Sequence, residues 1–425
     1  MTKNMQIIID VAYFLFFIFS LPFFIFKSIT QGKYKKGILS RFGFYPTRLS
    51  KYSKQSPVIW LHSVSVGEAI SAQKFIKSLK ERLTSYKWVF STVTDTAQEV
   101  VQHNWGNFSE VIYFPLDFSF SVKRAIDAIN PSLVIVMETE IWPNLLISLS
   151  KRKIPVFFVN GRISDRSYKK YRIIKPVLKN VFKSVSGFFM QTDEDARRII
   201  GIGADPEDVF VTGNIKFDSV DEMCFSSKTG YYKELFVLTH PLIVAGSTHR
   251  GEEEIILKAF KYIKEGFLIL APRHLERLKE VEDIITRYGY NPLRLSNFKK
   301  QTDLKHSIIL LDTMGELRFL YGAADIAIVG GSFVPKGGHN ILEPASFGIP
   351  VLFGKYTFNF KESVSIMLNS GAAIQINNKT ELKTVIEKLL KDKQYAEQIG
   401  EKGKELILKN KGSSDKIADM IKKLL

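Results

Sequence analysis

From Val58 onward the chain alternates short, continuously apolar runs with stretches of helical periodicity, and few architectures accept that rhythm. Apolar runs without a period of two suit strands buried on both faces, which occur in parallel sheets covered by helices. In the first half, strands are expected at Val58–His62, Trp88–Thr92, Glu110–Tyr113, Leu133–Glu138, Val156–Asn160, Gly187–Met190 and Val209–Thr212. In the second half they are expected at Leu242–Gly246, Phe267–Ala271, Ser307–Leu311, Ile326–Val329, Val351–Phe353 and Ala373–Ile376. Helical patterns fall between them, among others at Glu68–Leu83, Thr96–Trp105, Ser119–Ile129, Trp142–Lys151, Glu252–Lys264, Leu275–Tyr288 and Met314–Ala323. The strands pause over residues 216–239, which show no clear pattern, and the domain boundary is placed there. The expectation is an α/β protein of two doubly wound domains, with ligands at the carboxyl ends of the strands.

Composition narrows the function classes. With 45% apolar and 12% aromatic residues the chain builds real cores and is not disordered. A net charge of +17 fits nucleic acid, an anionic membrane surface or acidic substrates. No recognised nucleic-acid module accompanies it, so nucleic acid is not the expected partner. A single cysteine, Cys224, excludes an intramolecular disulfide and any cysteine-built metal site. At the N-terminus, Ile7–Phe26 is apolar on all sides apart from Asp10, Ser20 and Pro22, and about 20 such residues match one hydrocarbon core. A membrane anchor is expected there, spanning in preference to monotopic. Lys27, Lys33, Lys35, Lys36 and Arg41 follow it and place the rest of the chain on the cytoplasmic side.

The polar clusters sit where strands end. Gly330-Gly331-Ser332, with Gly337-Gly338-His339-Asn340-Ile341-Leu342-Glu343, follows the strand Ile326–Val329. Glycines there let backbone N–H groups approach a ligand, and a helix beginning after an Asn340 N-cap would favour an anion such as phosphate. A capped tight turn explains the same residues. His62-Ser63-Val64-Ser65-Val66-Gly67-Glu68 and Glu138-Thr139-Glu140-Ile141-Trp142-Pro143-Asn144 close two strands of one sheet, so their carboxylates can converge as base and charge-shaping group. Equally, Glu68 and Glu140 can be there because carboxylates favour helix N-termini. Asn160-Gly161-Arg162, Lys216, Ser247-Thr248-His249-Arg250, Pro272-Arg273-His274 and Asp312-Thr313-Met314-Gly315-Glu316-Leu317 occupy similar junctions; the last is expected to open a helix. No Walker loop, dinucleotide fingerprint, nucleophile elbow or metal-ligand spacing of histidines is present.

Taken in order along the chain, the anchor and these motifs resemble the Kdo transferases, the 3-deoxy-D-manno-oct-2-ulosonic acid transferases of lipopolysaccharide synthesis. The likeness covers essentially the whole sequence. It implies a GT-B glycosyltransferase with an N-terminal anchor over residues 1–30, an acceptor-binding Rossmann-like domain over 31–222 and a CMP-Kdo-binding one over 223–425. The last helix could pack back on the first domain. The two domains would face a central cleft at the cytoplasmic face of the bacterial inner membrane. The implied reaction moves Kdo from CMP-Kdo to a tetraacylated lipid A precursor (lipid IVA) with inversion, using neither cofactor nor metal. Position by position, Glu68 matches the family's general base, and Glu138 and Lys216 match residues assigned to transition-state stabilisation. Pro272, Arg273, Thr313, Met314, Gly315, Asn340, Ile341, Leu342 and Glu343 match its CMP-binding segments. Two departures stand out: Leu275 where a proline is common, and Arg250 where an acidic residue is common, which leaves the charge of the donor side open. A related GT-B transferase with another donor or acceptor, and an inactive membrane-tethered binding protein, remain the alternatives.

Overall fold

A computed structural model describes residues 5–15, 18–19, 37–54, 56–219, 227–236, 240–298 and 304–425. The chain divides into two compact units. One comprises Met1–Ser219 and Asn410–Leu425, the other Val220–Lys409.

In the first unit the strands are β1 (Val58–His62), β2 (Lys87–Thr92), β3 (Ser109–Tyr113), β4 (Leu133–Met137), β5 (Val156–Gly161), β6 (Gly187–Met190) and β7 (Val209–Val211). They form one sheet in the order β3-β2-β1-β4-β5-β6-β7, every described pair parallel. The chain runs outward to β3, then returns to start again beside β1. The gap between β1 and β4 is thus the topological switch point, the place where such sheets bind ligands. Strands β1, β4 and β5 are buried along their whole length because helices cover both faces. Trp60 is fully buried in β1 and its indole N–H donates to the Ser91 hydroxyl at 2.8 Å, so the polar edge of a large apolar group is satisfied.

The final helix, Ser413–Leu424, belongs to this unit. Its Ile417, Ala418 and Ile421 are fully buried in one cluster with Phe75, Ile76 and Leu79. Burial of each isoleucine contributes roughly 1.5–3 kcal/mol. Asp218 fixes the entry of that helix by accepting from Gly412 N (2.7 Å) and Ser414 N (2.6 Å).

The second unit carries β8 (Leu242–Thr248), β9 (Phe267–Pro272), β10 (Pro292–Arg294), β11 (Ile308–Leu310), β12 (Ile326–Val329), β13 (Val351–Gly354) and β14 (Ile374–Ile376). Its parallel sheet runs β10-β11-β9-β8-β12-β13-β14, with the switch point between β8 and β12. Edge strand β10 was not expected. It has three residues, two of them proline and arginine, and carries no apolar run to read.

Several helices depart from expectation. Glu68–Leu83 is two helices, Val66–Ser71 and Gln73–Arg82, joined at Ala72. There the Ser71 hydroxyl donates to Glu68 O at 2.9 Å, a side chain competing with the helical ladder. Residues 216–239, expected to lack pattern, contain the helix Ser227–Phe236. Tyr232 and Phe236, four apart, stack at 5.8 Å on its buried face, and two aromatic residues make too sparse a stripe to recognise. The helix expected from Met314 begins at Leu317, because Gly315 takes φ +84° and breaks the ladder.

The expected anchor, Ile7–Phe26, lies partly outside the described residues. Among the described residues no helix is long and apolar enough to cross a membrane. Residues 5–15 are helical, and they are not apolar all round. Asp10 accepts from Ser119 N (2.9 Å) and Asn144 Nδ2 (2.8 Å), Tyr13 donates to Asp117, and Gln6 bonds Ser148 and Lys151. Ile7, Ile8, Val11, Phe14 and Leu15 are exposed on the opposite side. Burial pushes the Asp117 carboxyl up to about 7, against the pull of the Asn144 and Leu145 N–H groups and the Tyr13 hydroxyl, with Asp10 adding to the rise.

Candidate active site

At the switch point of the first unit, β1 ends at His62 and the chain turns into Val66–Ser71. Ser65 caps that helix and accepts from Glu68 N at 3.3 Å. Glu68 returns the bond: its Oε1 accepts from the Ser65 hydroxyl (2.8 Å) and its Oε2 from Val64 N (2.7 Å). This is a variant of the capping box in which the carboxylate reaches the N–H of Val64, one residue before the cap, so the structural reason for a glutamate here is real. It does not explain the surroundings. Glu68 is 8% exposed, and its carboxyl is pushed up to about 7 by burial and then by Glu138, with a smaller push from Glu140. The hydrogen bonds from Val64 and Ser65 pull the other way. Three carboxylates from the two strands flanking the switch point therefore share one neighbourhood. Glu140 is likewise raised, by burial first and Glu138 second.

Glu138 follows β4 with φ +57°, the left-handed region that L residues rarely adopt. Such strain collects where geometry is imposed for a purpose. Its Oε1 pairs with Lys216 Nζ at 3.2 Å. Lys216 arrives from beyond β7, and its position is set by buried amides. Asn160 (φ +61°) accepts from Ile215 N at 3.1 Å, and Asn214 accepts from Lys216 N at 2.9 Å while donating to Gln191 at 3.0 Å. Asn160 and Asn214 are thus positioning residues, a role that their place in strand-end motifs does not announce. His62, by contrast, is a core residue. It is fully buried, stacked on Phe114 at 3.7 Å and bonded to Ser91.

In the second unit the polar residues gather at the β8/β12 switch point. Glu252, fully buried, opens the helix Glu252–Phe260 and accepts three backbone N–H groups: His249 and Gly331 on Oε2 (2.8 and 2.7 Å) and Phe333 on Oε1 (2.8 Å). It clamps the glycine-rich loop to the end of β8. Neighbouring Glu253, also buried, accepts from the Thr248 hydroxyl (2.9 Å) and pairs with Arg277 (2.9 Å). Arg250 does not add free charge to this side: it is exposed and forked onto Glu280 at 2.8 and 2.9 Å. Together with Arg277 it holds the Glu280 carboxyl down at about 2.

The expected donor residues fall unevenly. Pro272 ends β9, and exposed Arg273 follows it, anchored by its N–H to Thr248 O at 2.9 Å. Thr313, Met314 and Gly315 form the turn after β11, Met314 being 74% exposed. Ile341 and Leu342 bury their side chains in the core, which leaves only their backbone to meet a ligand. The helix expected after Asn340 is a single turn, Leu342–Ala345, with Ile341 in the cap position. Asn340 Oδ1 still accepts from Leu342 N at 3.0 Å. One turn builds little macrodipole, so the anion-binding capacity of this loop rests on its N–H groups and on nearby side chains. Glu343 lies in that turn, half-buried; burial raises the Tyr321 hydroxyl, and the nearby Glu343 charge adds to the rise.

Residues 36–219 match the family model described as 3-Deoxy-D-manno-octulosonic-acid transferase (kdotransferase), and residues 253–406 match that of Glycosyl transferases group 1. The 3-deoxy-D-manno-octulosonic acid transferase of Haemophilus influenzae is 35% identical over 94% of this chain and 93% of its own length. That of Aquifex aeolicus is 35% identical over 85% of this chain and 94% of its own. Among solved structures, Acinetobacter baumannii MurG aligns with a TM-score of 0.53 at 11% identity, covering 87% of this chain and 99% of that one. At such identity the likeness concerns the fold alone, and it is the GT-B fold. With a relative this similar over nearly its whole length, the chain belongs to the 3-deoxy-D-manno-octulosonic acid transferase family and is a glycosyltransferase.

Proposed function

We propose that the enzyme moves Kdo from CMP-Kdo onto a tetraacylated lipid A precursor (lipid IVA) in lipopolysaccharide synthesis, inverting the anomeric centre. The observation that carries this reading is Glu68, a buried carboxylate near pKa 7 beside the Glu138–Lys216 pair. A base poised near the working pH takes a hydroxyl proton efficiently. In the step, a Glu68 oxygen takes the proton of the acceptor hydroxyl, and the oxygen of that hydroxyl attacks the anomeric carbon. The bond from that carbon to the phosphate oxygen breaks, and its electron pair leaves on CMP. One displacement inverts the centre and needs no enzyme nucleophile. Lys216, held by Glu138, neutralises developing anionic charge, the kind of preorganised electrostatics that usually dominates catalysis. Pro272 and Arg273, the turn Thr313-Met314-Gly315 and the segment Asn340-Ile341-Leu342-Glu343 hold CMP. Mass spectrometry of the lipid formed from CMP-Kdo and lipid IVA tests this. Addition of Kdo is expected, and an unchanged acceptor mass under conditions where CMP binds would overturn it.

The enzyme works at the cytoplasmic face of the inner membrane. The stripe Ile7, Ile8, Val11, Phe14 and Leu15 supports a helix lying in the interface, since Asp10 on its other side is bonded to Ser119 and Asn144. Membranes washed in high salt should retain the protein and detergent should release it. Release by salt alone would rule out an apolar attachment.

A further inference from the structure

Three of the chain's seven histidines meet at the switch point of the second unit, contributed by three strand ends: His249 after β8, His274 after β9 and His339 after β12. The Nε2 atoms of His249 and His339 are 2.9 Å apart. Their rings are parallel within 1° with centroids 5.2 Å apart, which places them edge to edge in one line. The His274 ring stands across His249 at 5.7 Å and 74°. Gly331, at φ +69°, admits the His339 ring: a Cβ there would lie 2.9 Å from its Cδ2. Among the described residues this group does not converge as metal ligands.

An in-line Nε2···Nε2 contact holds one proton. One ring donates and the other must accept, so the accepting ring is neutral. The surroundings keep the proton count low. Burial first lowers His249, followed by His274, Lys336 and Arg277, with Glu253 opposing. Burial first holds His339 down at about 4, followed by Arg273, His249 and His274. Glu252 is committed to three backbone N–H groups, Glu253 to Arg277 and Thr248, and Glu280 to Arg250 and Arg277. These three carboxylates are already committed, whereas an incoming oxyanion would balance a second positive imidazole.

We propose that His249, His274 and His339 form a proton-accepting cradle for the phosphate of the donor and of departing CMP. The rings part and give up their direct contact to admit a phosphate oxygen, each Nε2 then donates an N–H to it, and the pair takes one proton from solvent. The need is greatest after transfer: the electron pair of the broken bond stays on the phosphate, raising its negative charge by one. The inference rests on the donor reading above and names the part of that site that meets the phosphate.

Calorimetric titration of the full chain with CMP, cytidine and free Kdo, in buffers of different ionisation enthalpy, counts the protons taken up. CMP should bind near neutral pH with uptake of about one proton, which corresponds to about tenfold in affinity per pH unit. Cytidine should bind without uptake. His249→Gln and His339→Asn should lose the uptake and bind CMP roughly tenfold to a hundredfold more weakly, as for loss of a hydrogen bond to a charged group. Imidazole ¹⁵N signals of the wild-type protein give the same reading without any variant, and should move to the doubly protonated form with CMP. Equal proton counts in variants and wild type, or imidazole signals that respond to free Kdo and not to CMP, would overturn the cradle alone. Failure of the wild type to bind CMP at all would overturn the donor reading and the cradle together.

Discussion

Glu68→Gln should reduce transfer by on the order of 10²–10⁴-fold, the usual contribution of a positioned general base. CMP should bind with wild-type affinity, because Glu68 lies outside the donor-binding residues. The pH profile gives the sharper readout. A base must be ionised, and Glu68 ionises near 7, so kcat/KM in the wild type should climb as pH rises through about 7 and then level off. In the variant that limb should vanish. Stability moves in the opposite sense. A carboxyl whose folded pKa is raised contributes stability that is present below its ordinary value and lost as pH rises through about 7. The glutamine variant should therefore melt no lower than wild type at alkaline pH, which separates a chemical loss from unfolding. A variant that retains the acidic limb, measured by initial rates across pH, would remove Glu68 from the proton transfer.

The second large effect concerns a residue that touches no substrate. Glu252→Ala removes the acceptor of three backbone N–H groups, those of His249, Gly331 and Phe333. Each buried donor left unpaired costs about 1–3 kcal/mol, so destabilisation of at least ~3 kcal/mol is expected. The loop from Gly331 to Phe333 would lose its tie to β8, and CMP binding should fall with it. Glu252→Gln retains one acceptor oxygen and turns an NH₂ toward a former partner, so it should lie between. Denaturant unfolding alongside CMP titration measures both. An alanine variant as stable as wild type would show that water replaces the carboxylate at this clamp.

The sheets were legible because strands covered on both faces are written as unbroken apolar runs, as in Leu133–Met137 or Phe267–Leu270. What escaped was short or sparsely patterned: three-residue β10 at an edge, and the helix Ser227–Phe236 held by two aromatic residues. Glu68, Glu138 and Lys216 could be singled out because strand ends announce themselves. Their coupling could not. The bond joining Lys216 to Glu138 spans 78 positions, and the contact of His249 with His339 spans 90. The role of Glu252 is hidden for another reason. An acid in the first turn of a helix looks like a favourable charge at an N-terminus, and only its burial shows that it serves the loop. The same ambiguity surrounded Glu68, where the capping box and the shifted carboxyl prove to be properties of one side chain.

The placement of Ser413–Leu424 bears on how the protein is made. The unit begun first during synthesis cannot be finished until Ser413–Leu424 emerges, since Ile417, Ala418 and Ile421 fill its core beside Phe75 and Leu79. At roughly 5–20 residues per second, making Val220–Lys409 takes ~10–40 s. Throughout that interval Phe75, Ile76 and Leu79 on Gln73–Arg82 lack the apolar cover that Ile417, Ala418 and Ile421 supply. The intervening unit has its whole sequence available by then and can fold first. The nascent chain thus completes its domains in the reverse of the order in which it starts them, and it must keep one unfinished surface from aggregating while it does so.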